Sequence, residues 1–291
     1  STHGVFRVVL HLDGEVIIKA VPYAGYLHRG VEKLCEKLTC VQITPIVDKN
    51  DYVSPMMNEQ AIVMAIENLA GIEVPRRARY LRTIFAELQR IASHLLWLGT
   101  FAMDLGGAIG GGASAFMYCF RERETILDLF EEVTGARFHY NTHTPGGNRH
   151  DITPGWEAMV KTTIGVIEGR IDEYTSMRPT NRIYVVRTEN VGTLPRELAL
   201  SLGMTGPMAR ASGVDHDLRR DAPYHVYDEI EVKVATEDAG DCLARGKVRL
   251  AEMRESIRIV GSLIDSVPEG PISARNSPRG MSRSSPCSTS M

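Results

Sequence analysis

Three side chains stand where proton or hydrogen-bond chemistry could be done: His3, Tyr52 and Asp104. His3, in "STHG", lies one residue before a glycine beside a β-hairpin pattern, and imidazole is the side chain whose charge changes near neutral pH. Tyr52, in "NDYVSPMMNEQ", comes just before the proline that leads into a helix, and its hydroxyl can donate or accept a hydrogen bond. Asp104 ends a long helical pattern, where the helix dipole disfavours a carboxylate; it calls for a compensating partner, and a histidine would serve. Each has an ordinary alternative: His3 as a turn residue or satisfied hydrogen-bonder, and Tyr52 as a packing tyrosine. Arg29-Gly30 with Glu32 and Lys33, the "RERE" run at 121–124 and "PGG" at 145–147 read as salt-bridged scaffold, and His94 as a histidine at the edge of the core.

Several chemistries are excluded at the level of motif. Gly110, Gly112 and Ala115 spell G-x-G-x-x-A, but they follow a helix, whereas a dinucleotide-binding loop must follow a strand. There is no Walker loop, H-E-x-x-H, G-x-S-x-G or C-x-x-C. Cys35, Cys40, Cys119, Cys242 and Cys287 are scattered, which argues for a reducing, cytoplasmic setting over a disulfide framework. Net charge is −3, with 43% hydrophobic and 24% charged residues, an average globular balance without the field that would recruit nucleic acid. No run approaches the ~18 apolar residues of a membrane-spanning helix, so a membrane link would come through a partner.

The elements that must position these residues are mainly α with a small β part. Phe6 to Leu12 and Glu15 to Val21 are β-rich around the turn Asp13-Gly14 and predict an N-terminal hairpin. Apolar residues recur at helical spacing from Met56 to Leu69, up to Gly71, and Pro75 opens a long helix from about Arg76 to Met103 with Leu81, Ile84, Phe85, Leu88, Ile91, Leu95 and Leu98 on one stripe. The run "DLGGAIGGGASAF" reads as a break, a helix resumes near Ala115 and stops at Gly135, and another covers about Trp156 to Met177. Short strands are predicted around Arg182 to Val186 and Val226 to Val234, then a last helix from about Asp238 to Val267. The expected organisation is a single domain over 1–270, with a β-hairpin and site loops at 1–55, a helical bundle at 56–180, and strands with the last helix at 181–267. The Ser-, Pro- and Arg-rich residues 271–291 are expected to form a disordered or aberrant tail.

Beyond single motifs, "STHG", "GYLHRGVEK", "DYVSPMMNEQA", "PRRARYLRTIFAELQRIASHLLWLGT", "FRERETILDLFEEVTGARFH", "ASGVDHDLRR", "PYHVYDEIEV" and "GDCLARGKVRLAEMRESIRIV" resemble, in order, the D (49 kDa-type) subunit of respiratory complex I. That family is related to the large subunits of nickel-iron hydrogenases; "RGVEK" is similar to the hydrogenase "RGxE" motif, but "DKNDYVSP" stands where a metal-binding cysteine pair would fall. Nickel-iron sites need thiolates, so the likeness implies the scaffold without the metal.

The resemblance implies a quinone-binding peripheral-arm subunit of a proton-translocating NADH:quinone oxidoreductase, active only within the assembled complex. It places the quinone headgroup against His3 and Tyr52, pairs Asp104 with His3, and sets Arg29 beside a partner's cluster. It implies a 4Fe-4S cluster, FMN and NAD in partner subunits, with no metal held by this chain. Implied partners are the small iron-sulfur (B/20 kDa-type) subunit, the C/30 kDa-type subunit and membrane-arm subunits, at the cytoplasmic side of the inner membrane. An Asp104–His3 pair 4 Å apart would be worth roughly 4 kcal/mol at an effective dielectric of ~20, before desolvation. For Arg29 a structural salt bridge to Glu32 or a nearby acid is an alternative. Rival readings are a non-catalytic scaffold of a related hydrogenase-like or ferredoxin-linked membrane complex, and a nonfunctional truncated fragment.

Overall fold

A computed structural model describes residues 6–106, 112–180 and 182–274. It begins with a hairpin of β1 (Arg7–Asp13) and β2 (Val16–Tyr23), paired antiparallel with Asp13 opposite Val16 and an irregularity between His11 and Leu12. The reversal therefore falls on Gly14-Glu15, one residue later than the Asp13-Gly14 turn expected. Gly14, at φ +59°, supplies the left-handed residue at the first central position of that turn.

Short helices α1 (Val31–Cys35) and α2 (Cys40–Val47) lead to α3 (Pro55–Ala70), which starts on Pro55 and stops at Gly71 in the left-handed conformation. The centre of the fold is α4 (Arg76–Asp104), which packs along α5 (Gly112–Thr134) and α11 (Cys242–Leu263); α6 (Trp156–Thr180) closes the bundle against α5 and α11. Nothing in α4 interrupts its periodicity, and its expected stripe is buried in full, from Leu81 to Leu98. Phe85 sits at the middle, edge-on to Phe130 at 6.4 Å and to Trp156 at 5.6 Å, while the Trp156 indole donates to the Leu129 carbonyl at 2.8 Å. Gly99 sets the approach of α4 to α5: a Cβ there would lie 3.2 Å from the Cys119 Cβ.

The bundle also buries charge. Glu87 of α4 accepts from Arg219 at 3.1 Å and from Ser256 at 2.5 Å, and it bonds the Tyr227 hydroxyl. Arg219 also clasps Asp217 at 2.7 Å. Arg82 is fully buried and forms a two-pronged pair with Glu67 at 2.8 and 2.9 Å. The same guanidinium donates to the Thr144 and Gly147 carbonyls, so it fastens the small hairpin β3 (His143–Thr144) and β4 (Gly147–Asn148) to α4.

The strand expected around Arg182 to Val186 is instead α7 (Arg182–Thr188). Its Val185-Val186 pair favours a strand locally, but a strand that buried Tyr184 and Thr188 would turn Val186 to the same face; Val186 is 66% exposed, so the buried pair four residues apart fits a helix. Tyr184 fits over Gly246 of α11, where a Cβ would come within 2.7 Å of its hydroxyl. The strand expected over Val226 to Val234 is a short 3-10 turn, Tyr227–Glu229, followed by extended chain. Among the described residues no neighbouring strand takes up its backbone; the Lys233 amide donates to the Glu255 carboxylate at 2.8 Å, and Arg258 donates to the Glu231 carbonyl. Between these lie the short helices α8 (Arg196–Ser201), α9 (Gly206–Arg210) and α10 (Leu218–Asp221).

The last helix is shorter than expected because the Asp241 carboxylate caps it by accepting from the Ala244 amide at 2.8 Å. Residues 271–274, at the head of the expected unpacked tail, lie along β4: Ser273 bridges Gly147, the Asn148 amide donates to Ile272, and the Ala274 amide donates to Gly146. A bare Gly147 at φ +152° allows this, since a Cβ would fall 2.0 Å from the Ile272 oxygen. The remaining 275–291 and the centre of the glycine-rich break, 107–111, lie outside the described residues. Among the described residues no helix is long and apolar enough to cross a membrane.

Candidate functional site

Between α2 and α3 the chain turns through Asp51, whose carboxylate accepts from the Val53 amide at 3.1 Å and whose carbonyl accepts from the Ser54 amide and the Asn58 side chain. Gln89 of α4 donates to the Val53 carbonyl at 3.0 Å and ties this turn to the bundle. The result presents Tyr52 outward, 53% exposed, at the rim of a groove of about 410 Å³.

The other walls come from three separate places: Leu96 of α4, Arg123 and Leu127 of α5, and Arg137 with Phe138 from the loop after α5, together with Val53 beside Tyr52. Four apolar side chains thus face one phenol and two guanidinium groups. Arg123 is buried with no hydrogen-bond partner on its Nε among the described residues, its ring contact is to Phe120 at 5.7 Å, and burial holds its pKa below the usual arginine range. Arg137 pairs with Glu124 at the outer edge. Such walls suit a flat apolar ring carrying oxygens that accept hydrogen bonds.

Of the residues expected to form the site, Tyr52 lines this groove. Asp104 is the last residue of α4, exposed, eight residues beyond Leu96 and so about 12 Å further along the helix axis; it is not a wall of the groove. His3 lies outside the described residues. Arg29 makes no pair with Glu32, which lies 4.0 Å from His28; its guanidinium donates to the Ile46 carbonyl at 2.8 Å and to Asn50 at 3.0 Å. Arg29 thereby braces the end of α2 from which the Tyr52 turn departs. The "PGG" stretch and Arg121-Glu122 of "RERE" act as scaffold, whereas Arg123 of the same run is a wall of the groove. Glu122 accepts from Arg121 and from Tyr174, and Gly146 and Gly147 are held by Glu67, Arg82 and the 271–274 strand. His94 is buried with its Nε2 2.7 Å from Glu252.

Behind the groove lies a second set of groups that sequence reasoning did not single out. Asp48, at the end of α2, is fully buried, and among the described residues neither of its carboxylate oxygens is hydrogen-bonded. His139, next to Phe138, points its Nδ1 at Asp48 from 3.6 Å, and its backbone is in the left-handed region at φ +61°. Glu59 of α3 is fully buried as well; one oxygen accepts from the Thr142 and His143 amides at 2.7 and 2.8 Å, and the other has no partner among the described residues. Burial pushes the Glu59 carboxyl up to about 8, with the nearby Asp48 charge adding to the shift, and burial also raises Asp48. A usable signal was present in the helix pattern: Glu59 and Glu67 fall at spacing eight on the same buried face of α3 as Met56, Gln60 and Val63. Of the groove's other walls, Arg123 lay within the "RERE" run read as scaffold, and Arg137 and Phe138 were not singled out as site residues. Among the described residues no three His, Cys, Asp or Glu side chains converge as a metal-ligand set.

The chain's sequence matches a known family. Residues 109–291 match the family described as the respiratory-chain NADH dehydrogenase, 49 Kd subunit. Among curated relatives, the second D-type NADH-quinone oxidoreductase subunit of Rhizobium etli is 47% identical over 271 residues, 93% of this chain and 66% of that protein. The D-type NADH-quinone oxidoreductase subunit of Desulforamulus reducens is 45% identical over 275 residues, 94% of this chain and 74% of that protein. The second H-type NAD(P)H-quinone oxidoreductase subunit of Gloeobacter violaceus is 47% identical over 272 residues, 93% of this chain and 68% of that protein. This chain belongs to the 49 kDa subunit family of respiratory-chain NADH dehydrogenase. It spans just under two thirds of the length of the Rhizobium etli relative.

Proposed function

We propose that the chain is the quinone-binding subunit of a multi-subunit NADH:quinone oxidoreductase and that the Tyr52 groove receives the quinone headgroup. The observation that carries this is the joining, in one hollow of about 410 Å³, of an exposed phenol with apolar walls and two guanidinium groups. A quinone becomes a quinol by taking up two electrons and two protons, so its oxygens need donors that can also lead protons to them. Tyr52 supplies a hydroxyl donor, and Arg123, in a dry setting, favours the more negative oxygen of the partly reduced ring. The relatives named as quinone oxidoreductase subunits support the same substrate class.

In this reading electrons arrive from a 4Fe-4S cluster in the small iron-sulfur subunit, with FMN and NAD held further upstream. His3 reaches the headgroup as a second donor paired with Asp104, and Arg29 faces the cluster-bearing partner. The chain sits peripherally on the cytoplasmic face of the membrane and docks there through the C/30 kDa-type and membrane-arm subunits. Coupling of the reaction to proton translocation runs through those partners.

Tyr52→Phe in the assembled complex tests the reading. Loss of one charge-neutral hydrogen bond to the transition state is expected to lower quinone reduction by about 10- to 100-fold, with NADH oxidation by an artificial acceptor that bypasses the quinone unchanged. Full quinone reductase activity in Tyr52→Phe and in Tyr52→Ala would remove the groove from the reaction and leave a scaffold role.

A further inference from the structure

We infer that Asp48 and Glu59 form a buried carboxyl pair that holds one exchangeable proton at neutral pH, and that His139 is its outlet toward the groove. Asp48 is wholly removed from water, and its oxygens have no close hydrogen-bond donor among the described residues, the His139 Nδ1 lying at 3.6 Å and the Lys49 ammonium at 3.9 Å. A buried carboxylate left in that state is costly, and the cost falls when the group binds or shares a proton. Glu59, buried on the facing helix, satisfies one oxygen with two main-chain amides and leaves the other open. Two acids that feel each other in a dry site do not ionise independently; their protons leave in steps that belong to the pair.

The charged and titratable groups around the pair are few. Asp48 faces His139 at 3.6 Å and Lys49 at 3.9 Å, and the Lys49 ammonium is also engaged by the Pro45 carbonyl at 2.8 Å. Glu59, on α3 where it packs against α2, lies within electrostatic reach of Asp48 and accepts from the Thr142 and His143 amides. Tyr140, buried in the same loop, feels both carboxyls on one side and Arg123 of the groove wall on the other; burial raises its hydroxyl far above the usual range, so it stays neutral and bridges the two regions without adding charge. His139 is the partly exposed member, with one nitrogen turned to Asp48 and its ring 4.2 Å from that of Phe138, a wall of the groove. Its left-handed backbone, unusual for a residue with a side chain, is what turns the imidazole inward; strain of that kind persists where the surroundings impose a geometry.

A proton held here is one step from the groove. Passing it out through His139 leaves the pair with both carboxyls ionised, a state that refills from solvent by the same imidazole. The use of the proton in quinone reduction rests on the reading of the groove given above, whereas the shared proton itself does not.

The test therefore uses the full chain with no quinone present. Asp and Glu carboxyl carbons are labelled with carbon-13 and followed by NMR from pH 4 to pH 10. One carboxyl is expected to remain protonated at pH 7 and to titrate near the value of about 8 given by its burial, well above the solvent-exposed acids. Glu59→Gln is expected to abolish that late step, and Asp48→Asn, by removing the neighbouring charge, to lower it. His139→Gln is expected to keep the step but slow its exchange with solvent. A wild-type chain in which every carboxyl has ionised by pH 6 would overturn the inference, as would a late step indifferent to Asp48→Asn. Where Glu59→Gln fails to fold, the wild-type titration and Asp48→Asn still decide. Failure of quinone binding would leave all of these results in place.

Discussion

Replacing Arg82 by methionine is expected to be among the most damaging single changes in the bundle, and its size can be worked from the contacts. Arg82 is fully buried and its partner Glu67 is nearly so; their two-pronged pair, at 2.8 and 2.9 Å, is the charge balance of that carboxylate, which among the described residues otherwise keeps only the Gly146 amide at 2.7 Å. Removing one member of a buried pair strands the other and costs about 3 to 5 kcal/mol. The lost bonds to the Thr144 and Gly147 carbonyls fall within the same disruption and are not added separately. Urea unfolding followed by circular dichroism reads the loss as a lower midpoint, and amide exchange reads it locally, at Gly146, Asn148 and Ala274, where protection should fall most. The double variant Arg82→Met with Glu67→Leu should recover most of the stability, because no charge is then stranded. A loss under about 1 kcal/mol for Arg82→Met, or a double variant no better than the single, would refute the reasoning that this pair holds the β3–β4 hairpin to α4.

Other changes have equally definite expectations. Gly147→Ala drives a Cβ into the Ile272 carbonyl, so limited proteolysis after Gly270 should become faster and the 271–274 strand should lose its exchange protection. Glu59 ionises near 8 in the fold against an ordinary value of 4.5, so the folded state holds the extra proton; stability is greatest below pH 4.5 as far as this group is concerned and declines by about 4 to 5 kcal/mol as pH rises to 8, a slope that Glu59→Gln should flatten in pH-dependent melts. Glu87 has the opposite sign: its arginine, tyrosine and serine partners hold its pKa below 4.5, so its contribution is present above that pH and lost on acidification, and Glu87→Gln should weaken the protein at pH 7 while reducing its acid sensitivity.

How far these features could be read from the amino acids depends on the range of the interactions that fix them. The α4 stripe from Leu81 to Leu98, its start after Pro75 and the glycine stops at Gly71 and Gly135 are local, and the structure repeats them. The segment at 182–186 went to helix because Tyr184 has to reach Gly246, a partner more than sixty residues away that no local pattern announces. The groove has the same character: Tyr52 was identified through its motif, but Leu96, Arg123 and Phe138 join it only after three elements have packed. Asp48 and Glu59 were hidden for a different reason. Acids are expected on the surface, and only the buried face of α3 and the end of α2 reveal that these two are enclosed.

The most direct measurement of the central claim is photolabelling of the assembled complex with a quinone analogue carrying its reactive group on the headgroup, followed by peptide mapping. Labels are expected on Tyr52 or on its groove neighbours Val53, Leu96, Arg123, Leu127, Arg137 and Phe138, and excess unlabelled quinone should suppress them. Labelling that is competed by quinone yet falls wholly outside these residues would contradict the account.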